Sequence, residues 1–205
     1  MENDIRQLRT ELTPWLLLLQ KYYQGHLCKL GNSKWNEITG ALEESISPEW
    51  PGIEESYLLI RDAGCDRQAD MQYDFNRLFI GPDVLQAPPY ESCYRNPDKT
   101  LMQAETLRVR EKYLRAGLAI SRKNVEPDDF IGFELEFLLF LLSDESGEMT
   151  ELTNQFLTEH LLVWYKDHVE AIRENTKHPI CLGMAGILEA VMMKLETILS
   201  NKPQS

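Results

Sequence analysis

The chain has 205 residues, somewhat above the roughly 150 of a single domain, so one domain or two unequal helical halves both fit. Its 43% apolar content supports an ordinary buried core and excludes a disordered polymer. A formal charge of -12, from 33 acidic and 21 basic residues, disfavours nucleic acid and anionic membrane as partners and favours a basic one.

Cys28, Cys65, Cys93 and Cys181 are scattered without a Cys-x-x-Cys pair, a usage that fits reduced thiols in a cytoplasm. The first ten residues are charged, with no basic segment leading into an apolar one, so no signal peptide is visible. The most apolar runs, WLLLL at 15–19 and FLLFLL at 137–142, fall far short of the ~20 residues of a membrane span. The expectation is a soluble, cytoplasmic protein.

In chain order, Leu8, Leu12, Trp15, Leu16, Leu19 and Tyr23 recur at helical spacing over residues 5–27, where Pro14 starts a new helix or kinks this one. A helix over 34–46 ends at SPEWPG (47–52), and further helices cover 53–63 and 67–80. In the second of these, Tyr73, Leu78 and Phe79 are expected to share much of one face. The stretch GPDVLQAPPYESCY (81–94) then interrupts the helical pattern with two adjacent prolines, an aromatic, a carboxylate and a hydroxyl. Helix resumes over 101–121, with Leu107, Leu114 and Leu118 on a common stripe. NVEPDD (124–129) is a break: Pro127 pushes Glu126 out of helix, and Asp128 or Asp129 can cap the next helix. Residues 130–142 are apolar nearly all round, as in a central buried helix. SDESGEM (143–149) is an acidic turn, 154–173 is amphipathic, and Pro179 opens a last helix to about 199. No strand-like alternation and no internal repeat occurs, so the expected fold class is all-α.

YDFNRLFIGPDVLQAPPYESCY, then EPDDFIGFELEFLLFL, then FLTEHLLVWYKDHVEAI follow one another in the order and spacing of the TorD/DmsD/NarJ family of cytoplasmic chaperones for molybdenum-containing redox enzymes, and on these motifs the chain resembles that family. The resemblance covers residues 73–173 well and the N-terminal third only in helix pattern. It implies a single helical bundle, with halves of about 1–123 and 130–200 joined by 124–129, that binds the twin-arginine leader of an enzyme subunit. It further implies that the subunit is held until its cofactor is inserted, before export. NarJ-like members instead serve subunits that stay on the cytoplasmic side. Carried over from the family's motifs, the peptide site comprises Arg77, Leu78, Phe79, Gly81 and Pro82, then Pro88, Pro89, Glu91, Ser92 and Tyr94, with Tyr90 beside them. Glu126, Pro127 and Asp129 complete the carried-over set, and Asp128 and Phe130 beside them are also expected in the site. Phe130 stands where many members have histidine, which weakens any histidine role there.

A twin-arginine leader needs an apolar groove beside acceptors for two guanidinium forks. Glu91, Asp128 and Asp129 are the carboxylates expected to meet those arginines. From the residues alone, the Pro-Pro loop reads more readily as a simple connection, and EPDD as a helix start whose carboxylates complement the dipole. The resemblance reverses that order for the loop. Glu134 and Glu136, two apart on a helix, do not face each other, so no paired-carboxylate site is expected; Arg77 is a candidate partner for one of them inside the fold. Phe79 and Trp164 read as core aromatics, and His160 as a packing histidine near Trp164.

His160 and His168 lack the spacing of a zinc-binding helix, and no phosphate loop or nucleophile elbow is present. No metal or cofactor is therefore expected, and no catalysis. A nucleotide hydrolase ranks last among the readings, and guanine-nucleotide binding is neither supported nor opposed by these residues. Straightening of 124–129 would permit a domain-swapped homodimer.

Overall fold

The computed structural model describes residues 2–64, 67–98, 100–120 and 126–200, with backbone only for 2–8, 68 and 69. Cys65 and the 124–125 part of the expected linker lie outside the described residues. Among the described residues the structure is helical, with one isolated antiparallel bridge, Tyr90 to Phe130, as its sole β-type pairing. No described helix is long and apolar enough to cross a membrane.

Helix α1 (Glu2–Tyr23) runs unbroken through Pro14, so no new helix starts there. A proline inside a helix costs about 3 kcal/mol, but Leu12, Trp15, Leu16 and Leu19 around it are wholly buried, each worth about 1.5–3 kcal/mol. A 3₁₀ turn (Leu27–Lys29) leads to α2 (Asn32–Glu43) and α3 (Ile53–Ala63). Then come α4 (Gln68–Phe79), the single turn α5 (Ser92–Arg95) and α6 (Ala104–Arg115). Beyond the 126–130 turn lie α7 (Ile131–Ser143), α8 (Thr150–Phe156), a π-helical turn (Leu157–Leu161), α9 (Leu162–Asn175) and α10 (Pro179–Ser200).

Burial corrects three expectations. Helix α7 is not enclosed all round: Glu136 and Phe140 face solvent. The most enclosed stretch is residues 180–192 of α10, the helix on which α1, α3, α4 and α9 pack. On α4, Leu78 and Phe79 are buried while Tyr73 is 70% exposed, because five residues turn a helix by about 140°. On α6, Leu107 and Leu114 point outward, and Leu118 lies beyond the end of the helix, past Gly117 with its positive φ, so the expected stripe is cut short; the inward face carries Thr106, Val109 and Tyr113.

Small residues let α3 and α10 approach closely. A Cβ on Gly183 would fall 2.6 Å from Ile60 Cγ1 and 2.7 Å from the Ser56 carbonyl oxygen, and one on Gly186 would collide with the Ser56 hydroxyl. The carbonyl belongs to backbone and cannot swing away. Alanine at 183 gains about 1 kcal/mol of helix propensity but overpacks by about 1–3 kcal/mol. Gly183→Ala is therefore expected to lower unfolding free energy, by up to about 2 kcal/mol in urea titration, with an unchanged slope. An increase in stability would refute the close contact.

Candidate functional site

The Pro-Pro loop and the Glu-Pro-Asp-Asp turn meet as a short antiparallel stitch. The Glu91 amide donates to the Asp129 carbonyl at 3.1 Å, and the Ile131 amide donates to the Pro89 carbonyl at 2.9 Å. Pro89 can offer only an acceptor, and the pairing uses it that way. The rings of Tyr90 and Phe130 lie 5.7 Å apart beside this bridge.

The carboxylates expected to face a ligand's arginines are instead engaged within the fold. Asp129 is fully buried; it accepts from the Ser92 amide at 2.8 Å and from the Thr106 hydroxyl at 2.7 Å. Asp128 accepts from the Arg110 guanidinium at 2.6 and 3.0 Å, while its carbonyl takes the Tyr113 hydroxyl. Glu91, also fully buried, lies 2.9 Å from Arg95 Nη1 and 2.8 Å from His160 Nδ1. Neither Asp128 nor Asp129 caps α7, whose N-cap is Phe130, because the tertiary partners of both carboxylates outcompete the local amides. Glu126 is exposed at the start of the turn.

Two further buried groups belong to this layer. Glu134 on α7 accepts from Trp164 Nε1 at 3.4 Å, and its other oxygen has no protein partner among the described residues. Burial, then the nearby Glu91 and Asp129, push its carboxyl well above the ordinary carboxylate range. The π-helical turn places His160 against Glu91, leaving its Nε2 without a partner among the described residues. His160 is thus more than the packing histidine expected, since it links α9's N-terminal side to the Pro-Pro loop.

His168 on α9 sits between two tyrosines: Nε2 is 2.9 Å from Tyr23 Oη and Nδ1 is 3.0 Å from Tyr94 Oη. Burial pulls its pKa down to about 3, so it stays neutral at physiological pH. Its two contacts tie α1, α5 and α9 together and hold the Tyr94 ring stacked on Trp164, with centroids 5.4 Å apart. Burial pushes the Tyr94 phenol upward as well, so the hydroxyl remains protonated.

Arg77 does not pair with Glu134 or Glu136. It meets Asp74 at 3.0 Å, the Asn175 carbonyl at 2.5 Å and the side chain of Gln86, tying the end of α4 to the 84–88 loop and to the end of α9. Gly81 adopts φ +103°, a conformation open to glycine at little cost, and turns the chain into that loop.

Between this loop and α9 lies a cleft of about 720 Å³, lined by Val84, Leu85, Pro88, Tyr94 and Leu101 on one side and by Asp167, Glu170, Ala171 and Glu174 on the other. Val84 is 91% exposed, a costly position for an aliphatic side chain with nothing to cover it. Of the residues expected in the peptide site, Pro88 and Tyr94 line the cleft. Leu78, Phe79, Glu91, Ser92 and Asp129 form the buried layer that holds it, while Tyr90 and Phe130 are half-buried beside the bridge.

The α9 acids stand outside the residues expected at the site, and His168 enters the sequence reading only through a zinc-ligand spacing that it fails. The signal for the acids was available, since Asp167, Glu170 and Glu174 stand at i, i+3 and i+7. That spacing looks the same as any solvated helix face until the loop is seen opposite. Among the described residues no group of His, Cys, Asp or Glu is arranged to hold a metal ion. The thiols of Cys28, Cys93 and Cys181 are buried and protonated, Cys93 being pushed up to about 11 and Cys181 to about 12 by burial.

The helical body has the fold of a solved structure from the class of redox enzyme maturation proteins. A crystallised Archaeoglobus fulgidus protein, provisionally assigned to that class, superposes with a TM-score of 0.56 over 91% of this chain and 93% of its own, at 20% identity, a likeness that speaks for the fold alone. Residues 34–170 match the family described as nitrate reductase delta subunit, and the chain belongs to that family.

Among relatives, a Haemophilus influenzae protein named as a Tat proofreading chaperone, DmsD, is 29% identical over 111 residues, 54% of this chain and 52% of its own length. The DmsD of Salmonella typhimurium is 26% identical over 61% of each chain. The chaperone protein TorD of Vibrio cholerae is 24% identical over 78% of this chain and 77% of its own. The chain thus spans about half to three-fifths of the length of the DmsD relatives it matches. The named relatives are chaperones, and the expectation that the chain is not an enzyme agrees with them.

The buried acids are open to two stability measurements. Asp129→Ala removes the acceptor of a buried amide and a buried hydroxyl, and is expected to cost about 2–4 kcal/mol in denaturant titration. Glu134 has a folded-state pKa above its ordinary 4.5, so its contribution is fully present below that pH and is lost as pH rises through the folded value. Glu134→Gln, which keeps an acceptor for Trp164, is therefore expected to raise the melting temperature relative to the parent more at pH 8 than at pH 5. An equal effect at both values would show that Glu134 is ionised in the folded protein.

Proposed function

We propose that the protein is a non-catalytic chaperone that captures the leader of a molybdopterin-containing oxidoreductase subunit. That leader presents two adjacent arginines followed by an apolar, helix-prone run. The chaperone holds the subunit in the cytoplasm until its cofactor is inserted, before export. The observation that carries this reading is the cleft: apolar side chains on the 84–101 side face an uncompensated acidic helix, beside the stitched turns.

The leader's apolar run buries against Val84, Leu85, Pro88 and Leu101, with Tyr94 as a wall fixed by His168. Covering exposed apolar surface contributes about 25 cal/mol per Å², which favours a peptide over a compact polar ligand. Arg77, Leu78, Phe79, Glu91, Ser92 and Asp129 act from behind by holding the loop at its pitch. Tyr90, Glu126, Asp128 and Phe130, at or near the bridge, extend the same end of the molecule. The proofreading and chaperone roles named for the DmsD and TorD relatives support the reading.

A second reading is an assembly factor that contacts a cytoplasmic-side catalytic subunit without its leader. The family's own description, nitrate reductase delta subunit, favours it. Calorimetry with the leader peptide, the leaderless subunit and the full precursor of a molybdoenzyme encoded beside this chain separates the two. Leader capture predicts a dissociation constant of about 0.1–10 μM for the peptide and a comparable one for the precursor. Binding of the leaderless subunit with none of the peptide would replace leader capture by subunit assembly.

A further inference from the structure

We infer that Asp167, Glu170 and Glu174 on α9 are the specificity-determining residues of the cleft, accepting the paired guanidinium groups of the bound peptide; this rests on the leader-capture reading. The carboxylates of the two motif segments do not offer themselves for that task. Asp129 and Glu91 are fully buried and Asp128 nearly so, and each already accepts from partners inside the fold. Opening Asp129 or Glu91 to a ligand would first break those bonds and strand a buried donor, at about 1–3 kcal/mol apiece, and Asp128 would have to give up its Arg110 pair.

The α9 row is in the opposite condition. All three side chains are exposed and line the cleft, and none is in an ion pair among the described residues. The cations of the same helix are directed elsewhere: Lys166 pairs with Glu196 at 3.0 Å and Arg173 with Glu189 at 2.5 Å, both acids being on α10. Charge on α9 is therefore sorted, with the neutralised pairs against α10 and the three carboxylates left at the cleft. Spacing of i, i+3 and i+7 puts them on one stripe about 10 Å long, enough to receive two neighbouring arginine side chains that splay apart.

The apolar wall opposite makes the combination selective. A peptide with arginines but no apolar run leaves Val84 and Leu101 uncovered, and an apolar peptide without arginines leaves three negative charges in a partly desolvated cleft. Arginine suits the row better than lysine, because its planar fork binds carboxylates through two hydrogen bonds and is less strongly hydrated. Glu174 also borders a neighbouring concavity lined by Arg67, Asp70, Tyr73, Asp74, Arg77 and Lys177, where both signs of charge are present. The acid-only stretch thus ends at Glu174, which fixes the end at which the paired cations sit.

The test uses the full chain and three synthetic peptides sharing one leucine- and alanine-rich run, preceded by Arg-Arg, Lys-Lys or Gln-Gln. Calorimetry at two salt concentrations is compared for the parent and for the variant Asp167→Asn, Glu170→Gln, Glu174→Gln, whose substitutions are all on the surface and whose helicity circular dichroism checks. The parent is expected to bind Arg-Arg most tightly, Lys-Lys less and Gln-Gln least. The variant should lose about tenfold or more for Arg-Arg, flatten its salt dependence, and bind Gln-Gln as the parent does. Unchanged Arg-Arg affinity and salt dependence in the variant would overturn the assignment while leaving leader capture standing. Equal binding of all three peptides by the parent would also overturn it, whereas binding of none by the parent would remove leader capture itself and the inference with it.

Discussion

The end of the molecule that carries the cleft depends on a buried carboxylate at a backbone bridge. Asp129 sits where the Pro-Pro loop and the turn before α7 pair, and its two oxygens satisfy an amide from one segment and a hydroxyl from α6. A carboxylate taken out of water with fewer partners would cost several kcal/mol, so the surrounding donors and the bridge hold one another in place. The wall of the cleft nearest that arrangement is mounted on it: Tyr94 sits on the turn that starts at Ser92 and the 84–88 loop comes just before it, with α9 across the gap.

Acidic residues in this chain divide into two populations that only distance and burial separate. Glu91, Asp128, Asp129 and Glu134 are interior groups serving the architecture, and burial beside Glu91 and Asp129 pushes the Glu134 carboxyl well above the ordinary carboxylate range. Asp167, Glu170 and Glu174 are solvent-facing and uncompensated beside apolar surface. An overall charge of -12 fits a protein whose partner brings positive charge, but it is the second population that can act on such a partner at contact range.

The buried titratable groups also oppose each other in pH. His168, pulled down to about 3, contributes stability that is present above its unfolded value near 6.5 and is lost as pH falls toward 3. Glu134 works in the other direction, losing its contribution as pH rises above 4.5. The layer behind the cleft is thus destabilised from both sides, which favours a fixed geometry at intermediate pH. The neutral His168 keeps Tyr94 in one orientation throughout that window, because neither ring nitrogen nor phenol changes its proton there.

Periodicity and punctuation were enough to read the helical class from the chain, with the final helix opening at Pro179, and the ordered motifs around 77–94 and 126–130 marked the end of the molecule where the cleft lies. These properties are local: they depend on spacings of a few residues and on what proline and glycine permit. Direction and pairing were not legible. Leu107 and Leu114 face outward and Leu118 falls past the end of its helix, and Pro14 passes inside a helix because Leu12, Trp15 and Leu16 are buried around it. The motif carboxylates read as ligand acceptors until Thr106, Arg110, Arg95 and His160, distant along the chain, arrive to occupy them. Which acids remain for a partner is a matter of which donors reach the others first in space, and only the tertiary structure decides that, because hydrogen-bond partners are set by three-dimensional proximity and the sequence records only neighbours along the chain.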